Sequence, residues 1–369
     1  MATATLTFAP DYISPPGETL EDVLDDRGMT QAELAERTGL SRKTVNEIIK
    51  GKAPITPETA LHLEHVFGIP ARFWNAREHQ YREALVRQDE AKLLAQHSDW
   101  VNCFPYREMA NLGMVKWIDG RAQNAVSKRG RALLAYFGVA SPEQWHQVWL
   151  QPSAAFRKAL TFTSDPAPVA AWLRYGEKKA AELEARPYDV NRFKAALNEI
   201  RGLTREKPEV FARRMITLCA RSGVAVVFTP QLPKARISGA TQWLHPDLAL
   251  IQVSLRYKTN DHFWFTFFHE TAHILLHGKR DVFLEESEDK SEQAKEDEAN
   301  RWSSNFLIPE AQLAAFMANG EKSHTAVQAF AEELGIAPGI VVGQLQHHNY
   351  IPWTHLNRLK QTFDWTTEE

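Results

Sequence analysis

The chain has 369 residues, 44% hydrophobic and 24% charged, with a formal net charge of −3. That length allows two or three separate cores, and the near-neutral balance excludes a protein coated in nucleic acid while leaving room for one small basic face. The start, MATATLTFAPDY, lacks the basic and apolar runs of a signal peptide. No run spans a bilayer, and Cys103 and Cys219 sit in no paired motif and read as reduced core residues. The expected compartment is the cytoplasm, with no membrane partner.

From about Pro15 to Gln88 the pattern is one of short amphipathic helices with tight breaks. Met29 to Gly51 reads MTQAELAERTGLSRKTVNEIIKG. Thr30 is an N-cap and Glu33 is expected to complete a capping box. Leu34 and Ala35 face inward, Gly39 supplies the turn, Leu40 plugs it, and Ser41 caps a second helix that buries Val45, Ile48 and Ile49. This is the spacing of a helix-turn-helix. Its second helix turns Arg42, Lys43, Thr44, Asn46 and Lys50 outward, where they can meet base edges and phosphates. Residues 1–90 hold 10 Lys and Arg against 15 Asp and Glu, but between Gly39 and Pro57 four basic residues (Arg42, Lys43, Lys50, Lys52) face the single acid Glu47. A basic edge on an acidic body fits one docking face. The plainer alternative is a helical hairpin with a solvated basic side.

The run from Pro16 to Trp74, PGETLEDVLDDRGMTQAELAERTGLSRKTVNEIIKGKAPITPETALHLEHVFGIPARFW, resembles the HigA-type antitoxin regulators, a lambda-repressor-like, all-α class of five helices. The resemblance implies binding of double-stranded operator DNA, usually as a homodimer, and raises a toxin as a partner. Gln31, Ser41, Arg42, Lys43, Thr44, Asn46, Lys50 and Lys52 are then the expected DNA-contacting residues.

From about Glu90 to Arg221 the chain is helix-rich and tryptophan-bearing without a recognisable motif. Pro208 to Ser222 is expected to pack on the domain that follows. From Gly223 three apolar strands appear (VAVVFT, RISGATQWL, LALIQVSL), then a helical remainder. Breaks at Ser164 to Pro168 and Ala185 to Pro187 suggest boundaries. The expected fold is α+β and multidomain: a helix-turn-helix domain over 1–88, a helical connector over 89–190, and a domain with a small sheet over 191–369.

That last domain carries His269-Glu270-Thr271-Ala272-His273, an HExxH within an apolar helix. Histidines four apart share a helical face and can ligate one zinc ion, while the glutamate between them reaches water. With no cysteine cluster to close a structural site, peptidase chemistry is the stronger reading. Lys279 occupies the place that an HExxHxxGxxH arrangement gives to histidine, so that arrangement is excluded. His277 is expected in the second shell or at the surface. A carboxylate from a following helix is the natural third ligand, and Asp281 to Glu298 holds nine acids. In Ser291 to Leu307 the inward face is set by Ala299, Trp302, Ser303 and Phe306. Glu292 and Glu296 project near that face, and Glu298 away from it.

HETAHILLH followed by EDEANRWSSNFLIPE resembles the ImmA/IrrE metallopeptidases, and RYKTNDHFWFTFFHE is similar to the variant of that family fused to helix-turn-helix domains. The resemblance implies a zincin-like fold, Glu296 as third zinc ligand and Asn300, one turn on, as a supporting residue; Trp302 and Ser303 depart from the commoner phenylalanine and alanine. Zinc on His269, His273 and Glu296 keeps a position for water, and Glu270 is the expected catalytic base. The strand Arg236–Trp243, if at the sheet edge, can pair with an extended substrate. His245, Tyr257 and His262 are candidate oxyanion stabilisers. The function expected is a regulator that cleaves a repressor-like protein, or itself, in a stress or mobile-element response. The rivals are an antitoxin-like repressor whose metal domain only senses or docks, and a peptidase whose helix-turn-helix serves dimerisation. FAEELGIAPGIVVGQL (330–345) repeats the helix-turn-helix spacing, but Pro338 and Gly339 replace Arg42 and Lys43, so it is expected to be an internal hairpin.

Overall fold

The structure of the chain, a computed structural model, describes residues 14–150, 165–278, 283–284 and 290–364, without the side chains of 283–284 and 290–292. Lys279, five of the nine acids between Asp281 and Glu298, and the Glu292 side chain therefore lie outside the described residues. Two compact units emerge, one up to His97 together with Val126–Lys128, the other Ser98–Ala125 and Arg129 onward. The expected boundary after residue 88 falls inside a continuous helix that runs to Gln96.

The first unit is built of five helices: α1 (Pro16–Arg27), α2 (Gln31–Thr38), α3 (Arg42–Ile49), α4 (Pro57–Phe67) and α5 (Ala71–Gln96). Leu20, Leu34, Val45, Ile48, Leu63 and Trp74 form its core. Gly39 takes φ 73 between α2 and α3, a conformation that favours glycine. The Thr30 hydroxyl accepts from Glu33 N at 3.2 Å and the Ser41 hydroxyl from Thr44 N at 3.0 Å, each cap contributing about 1 kcal/mol. The capping box expected of Glu33 is only half formed. Its carboxylate turns to Arg37, 2.6 Å away and one turn on, because a guanidinium is a stronger partner than a backbone amide.

In the second unit, α6 (Ser98–Asn102), α7 (Tyr106–Asn111), α8 (Ala125–Phe137) and α9 (Pro142–Trp145) precede the sheet domain. Trp100, Phe104, Phe137 and Trp145 meet mostly edge to face at 5.3–6.0 Å. Then come α10 (Pro166–Ala181), α11 (Val190–Gly202), α12 (Pro208–Ala220), β1 (Val224–Phe228), β2 (Gly239–His245), β3 (Leu248–Val253), α13 (Asn260–Leu276), β4 (Phe283–Leu284), α14 (Lys290–Leu307), α15 (Glu310–Ala318), α16 (His324–Leu334) and α17 (Pro338–His347).

The sheet order is β1-β3-β2-β4, with β1 parallel to β3 and the other pairs antiparallel. Alternation sends Val224, Val226, Ala249 and Ile251 to one face, against α11 to α17. Ala225, Val227 and Leu250 turn to the other, where α10 covers them through Ala180. Gln252 Nε2 donates to Trp172 O at 2.7 Å and to Thr229 Oγ1 at 2.9 Å, which satisfies the nitrogen of this buried amide between sheet and α10. One guanidinium ties two helix ends together: Arg201 on α11 donates to Phe306 O (2.9 Å) and Leu307 O (2.7 Å) at the end of α14, and to Leu334 O (2.9 Å) at the end of α16.

Among the described residues no single helix is long and apolar enough to cross a membrane; α16 and α17 qualify by length and composition only as a pair bent by 111°. Both pack within the core of the second unit. The stretch that mimics a helix-turn-helix is thus an internal hairpin.

Candidate metal centre

Helix α13 is buried along most of its length, with Phe263, Trp264, Phe267 and Phe268 at 5% exposure or less. These side chains anchor it between the sheet and α17 and hold the HExxH segment in a water-poor setting. His269 and His273, one turn apart, are 2% and 1% exposed, and their Nε2 atoms lie 3.1 Å from each other. Helix α14 packs alongside through Ala299 and Ser303, both fully buried and small enough to let the two helices close. That approach brings Glu296 in: its Oε2 lies 3.0 Å from His269 Nε2 and its Oε1 3.3 Å from His273 Nε2. The three ligand atoms all fall within 4.8 Å of one another.

Electrostatics acts on His273 and Glu296 in opposite ways. Burial holds His273 below the usual histidine range despite Glu296, so it is neutral at pH 7. Burial alone would raise Glu296, yet the hydrogen bonds from His269 and His273 together outweigh it and hold the carboxyl at about 2. Two imidazoles and a carboxylate converging on one point are a donor set suited to zinc.

Glu270, 1% exposed, turns to the sheet instead. The Thr241 hydroxyl lies 2.7 Å from Glu270 Oε2 and 2.9 Å from its backbone O. Gly239 makes this packing feasible, since a Cβ there would stand 2.6 Å from Glu270 Oε1. The condition set for substrate pairing, that β2 lie at the sheet edge, is not met at Ala240 and Thr241, which pair with Leu284 and Phe283 of β4. A cavity of about 270 Å³ begins one turn before His269, lined among others by Tyr257, His262, Phe265, Asn300, Ile340 and Trp353.

The other expected residues are placed as follows. Asn300 is one turn beyond Glu296 and lines the cavity, but it makes no hydrogen bond to the three clustered groups. Tyr257 and His262 stack at 4.5 Å in the cavity wall, with His262 kept neutral by burial. His245 lies exposed at the far end of β2, its Nδ1 accepting from Asp247 N, and takes no part. Of the two places expected for His277, behind the ligands or at the surface, it takes the first. Its ring is 4% exposed, with Nδ1 2.9 Å from His273 Nδ1 and Nε2 3.3 Å from Glu298 Oε2. Glu298, read as facing away, reaches this second layer.

In the first unit, Ser41, Arg42, Lys43, Lys50 and Lys52 are exposed on and around α3, with Gln31, Thr44 and Asn46 partly so. Arg42 and Lys43 keep only loose acidic neighbours, Glu36 and Glu47, both at 3.8 Å. Ser41 and Thr44 spend part of their hydrogen-bonding capacity on capping each other.

Comparison with known proteins divides the chain in the same way. Residues 20–74 match the helix-turn-helix family model and residues 219–345 that of the IrrE N-terminal-like domain, peptidase M78. Virulence-associated protein I of Dichelobacter nodosus is 33% identical over 79 residues, 21% of this chain and 73% of that protein. The uncharacterized HTH-type transcriptional regulator YddM of Escherichia coli (strain K12) is 30% identical over 59 residues, 16% of this chain and 63% of that one. Among solved structures, a HigA-family addiction module antidote protein of Coxiella burnetii is 27% identical, covering 23% of this chain and 92% of its own, at a TM-score of 0.21. A putative antidote protein of a plasmid maintenance system from Nostoc punctiforme is 30% identical, covering 22% and 91%, at 0.22. The chain belongs to the XRE-like helix-turn-helix proteins that carry an ImmA/IrrE-type, peptidase M78 domain.

Proposed function

We propose that this chain is a DNA-binding transcriptional regulator whose second unit is a zinc-dependent endopeptidase, cutting a repressor-like protein or itself in a stress or mobile-element response. The observation that carries the reading is the separation of roles on one helix: His269 and His273 meet Glu296, while Glu270, about a third of a turn away or less, is held by Thr241.

His269, His273 and Glu296 would hold the ion. When bound, zinc acts as a Lewis acid and lowers the pKa of water it holds to about 7. Glu270 takes a proton from the attacking water on its carboxylate, which Thr241 orients, and returns it to the leaving amine nitrogen. A positioned base of this kind contributes typically about 10²–10⁴-fold. The cavity beside His269 receives a substrate side chain and sheds water from it. The first unit docks on operator DNA as a homodimer, with Gln31, Ser41, Arg42, Lys43, Thr44, Asn46, Lys50 and Lys52 at the interface; a toxin is a further candidate partner.

The test is Glu270→Gln, which keeps the shape and the hydrogen bond from Thr241 but removes the base. Expected are normal folding, zinc content and operator binding with cleavage lost, followed by immunoblot of this chain and of its candidate repressor in the native host under DNA damage, oxidative stress and phage infection. Repression relieved equally in wild type and variant, with neither protein shortened, leaves the domain a sensor or docking module.

A further inference from the structure

The contacts of His277 go one step beyond that reading and rest on it. We propose that His277 and Glu298 form a positioning relay that fixes the tautomer and orientation of His273 and so tightens the hold of the site on its ion.

His277 ends α13. Its backbone leaves the helix at φ −111 and ψ 168, which lets the ring fold back beneath the last turn instead of pointing to solvent. There both ring nitrogens are engaged, Nδ1 with His273 Nδ1 at 2.9 Å and Nε2 with Glu298 Oε2 at 3.3 Å. Two imidazole Nδ1 atoms 2.9 Å apart share one proton when they hydrogen-bond, and the surroundings decide who carries it. His273 Nε2 is the atom that converges with His269 and Glu296, so it must keep its lone pair for an ion. The proton of His273 then sits on Nδ1 and is donated to His277 Nδ1. His277 in turn must be protonated on Nε2, and that N–H points at an acceptor that cannot donate, the Glu298 carboxylate. With an ion on His273 Nε2, the remaining nitrogens of the string are all engaged in this one direction. The reverse direction puts a proton on His273 Nε2 and blocks the ligand.

The two acids of α14 thus act on one histidine from opposite sides. Glu296 and Glu298 are two residues apart, about 200° around the helix axis. One meets His273 at Nε2; the other reaches Nδ1 through His277. A ligand histidine whose second nitrogen donates to a fixed acceptor is more basic and better oriented, and losing that partner typically weakens metal binding about 10–100-fold.

A ring that merely fills space is the competing explanation, and the variants separate the two. The apo full-length chain is titrated with Zn2+ against a competing chelator for wild type, His277→Phe, His277→Asn and Glu298→Gln, with thermal unfolding of each apo chain as a check on folding. His277→Phe fills the volume without an acceptor and should bind zinc about 10–100-fold more weakly. His277→Asn places an amide oxygen near the former Nδ1 and should recover most of that loss, with Glu298→Gln between it and wild type. Nitrogen-15 spectra of the zinc-loaded chain should show His273 protonated on Nδ1 and His277 on Nε2. Zinc affinity unchanged in His277→Phe, no recovery in His277→Asn, or a His277 protonated on Nδ1 each overturns the relay alone. A wild type that binds no zinc overturns the metal-centre reading beneath it as well.

Discussion

Replacing Gly239 with alanine adds one methyl group where the chain has no room for it. The new Cβ would fall 2.6 Å from Glu270 Oε1 and from Thr266 Cγ2, and 2.8 Å from Glu270 Cγ, about 0.8 Å short of ordinary contact. β2 is held by β3 and β4 on either side, and Thr266 belongs to a buried helix, so the Glu270 side chain is the part that yields. A shift of that size stretches the 2.7 Å hydrogen bond from Thr241 beyond its ordinary length. Overpacking of this kind costs about 1–3 kcal/mol, and each kcal/mol lowers Tm by roughly 2–4 °C in a unit of this size. A base misplaced by close to 1 Å loses on the order of 10²-fold in rate. Zinc content should stay at the wild-type level, because the nearest neighbours of the new methyl are Glu270 and Thr266 and none of the three clustered ligands. Thermal unfolding, metal analysis and single-turnover cleavage of the wild-type substrate measure the three effects. A Gly239→Ala chain with wild-type Tm and wild-type cleavage refutes the argument that β2 sets the position of Glu270. Loss of zinc would show that base and ligands are not positioned independently.

Glu296→Gln should purify with little zinc while wild type holds one ion per chain; full retention in this variant, with loss in Glu292→Gln or Glu298→Gln, moves the third ligand elsewhere. Lys43→Ala should weaken operator binding and reduce the slope of log affinity against log salt by about one unit, and an unchanged slope removes Lys43 from the phosphate contacts. Burial pushes the Cys219 thiol far up, so a thiol reagent should modify exposed Cys103 in the native chain and reach Cys219 only after unfolding; early labelling of Cys219 would contradict its packing.

Local spacing carried much of the site into the sequence. Histidines four apart must share a helical face, and a rotation of 100° per residue sufficed to turn Ala299 and Ser303 inward and bring Glu296 near. What stayed hidden depends on partners distant in the chain. Glu298 faces away from the α13 ligands by that same rotation, yet a long side chain and a histidine folded back at a helix end bring the two together. The short pairing of Phe283–Leu284 with β2 has too few residues to show a strand period, so the occupied edge of β2 could not be read. Glu33 had two partners in reach, and only the local competition decided for Arg37. Helix α10 was the more legible omission. Ala167 to Leu173 is buried on every side, and a helix apolar all round is a helix inside a core, a pattern present in the sequence of the helical connector.

Arg201 gives the metal centre a remote anchor. The last carbonyls of a helix have no partner within it, and at the end of α14 the fork of one guanidinium takes up two of them while also gripping the end of α16. Burial lowers the pKa of that guanidinium, but it remains charged at any ordinary pH, and a positive group suits the negative end of a helix dipole. Glu296 lies about 15 Å back along the same rod, so a helix clamped at its end carries its carboxylate at a fixed height against His269 and His273. The clamp works as a ruler: lysine, with a single nitrogen, cannot grip three carbonyls in that planar fork, and the axial slip it permits would appear at the far end as a misplaced ligand.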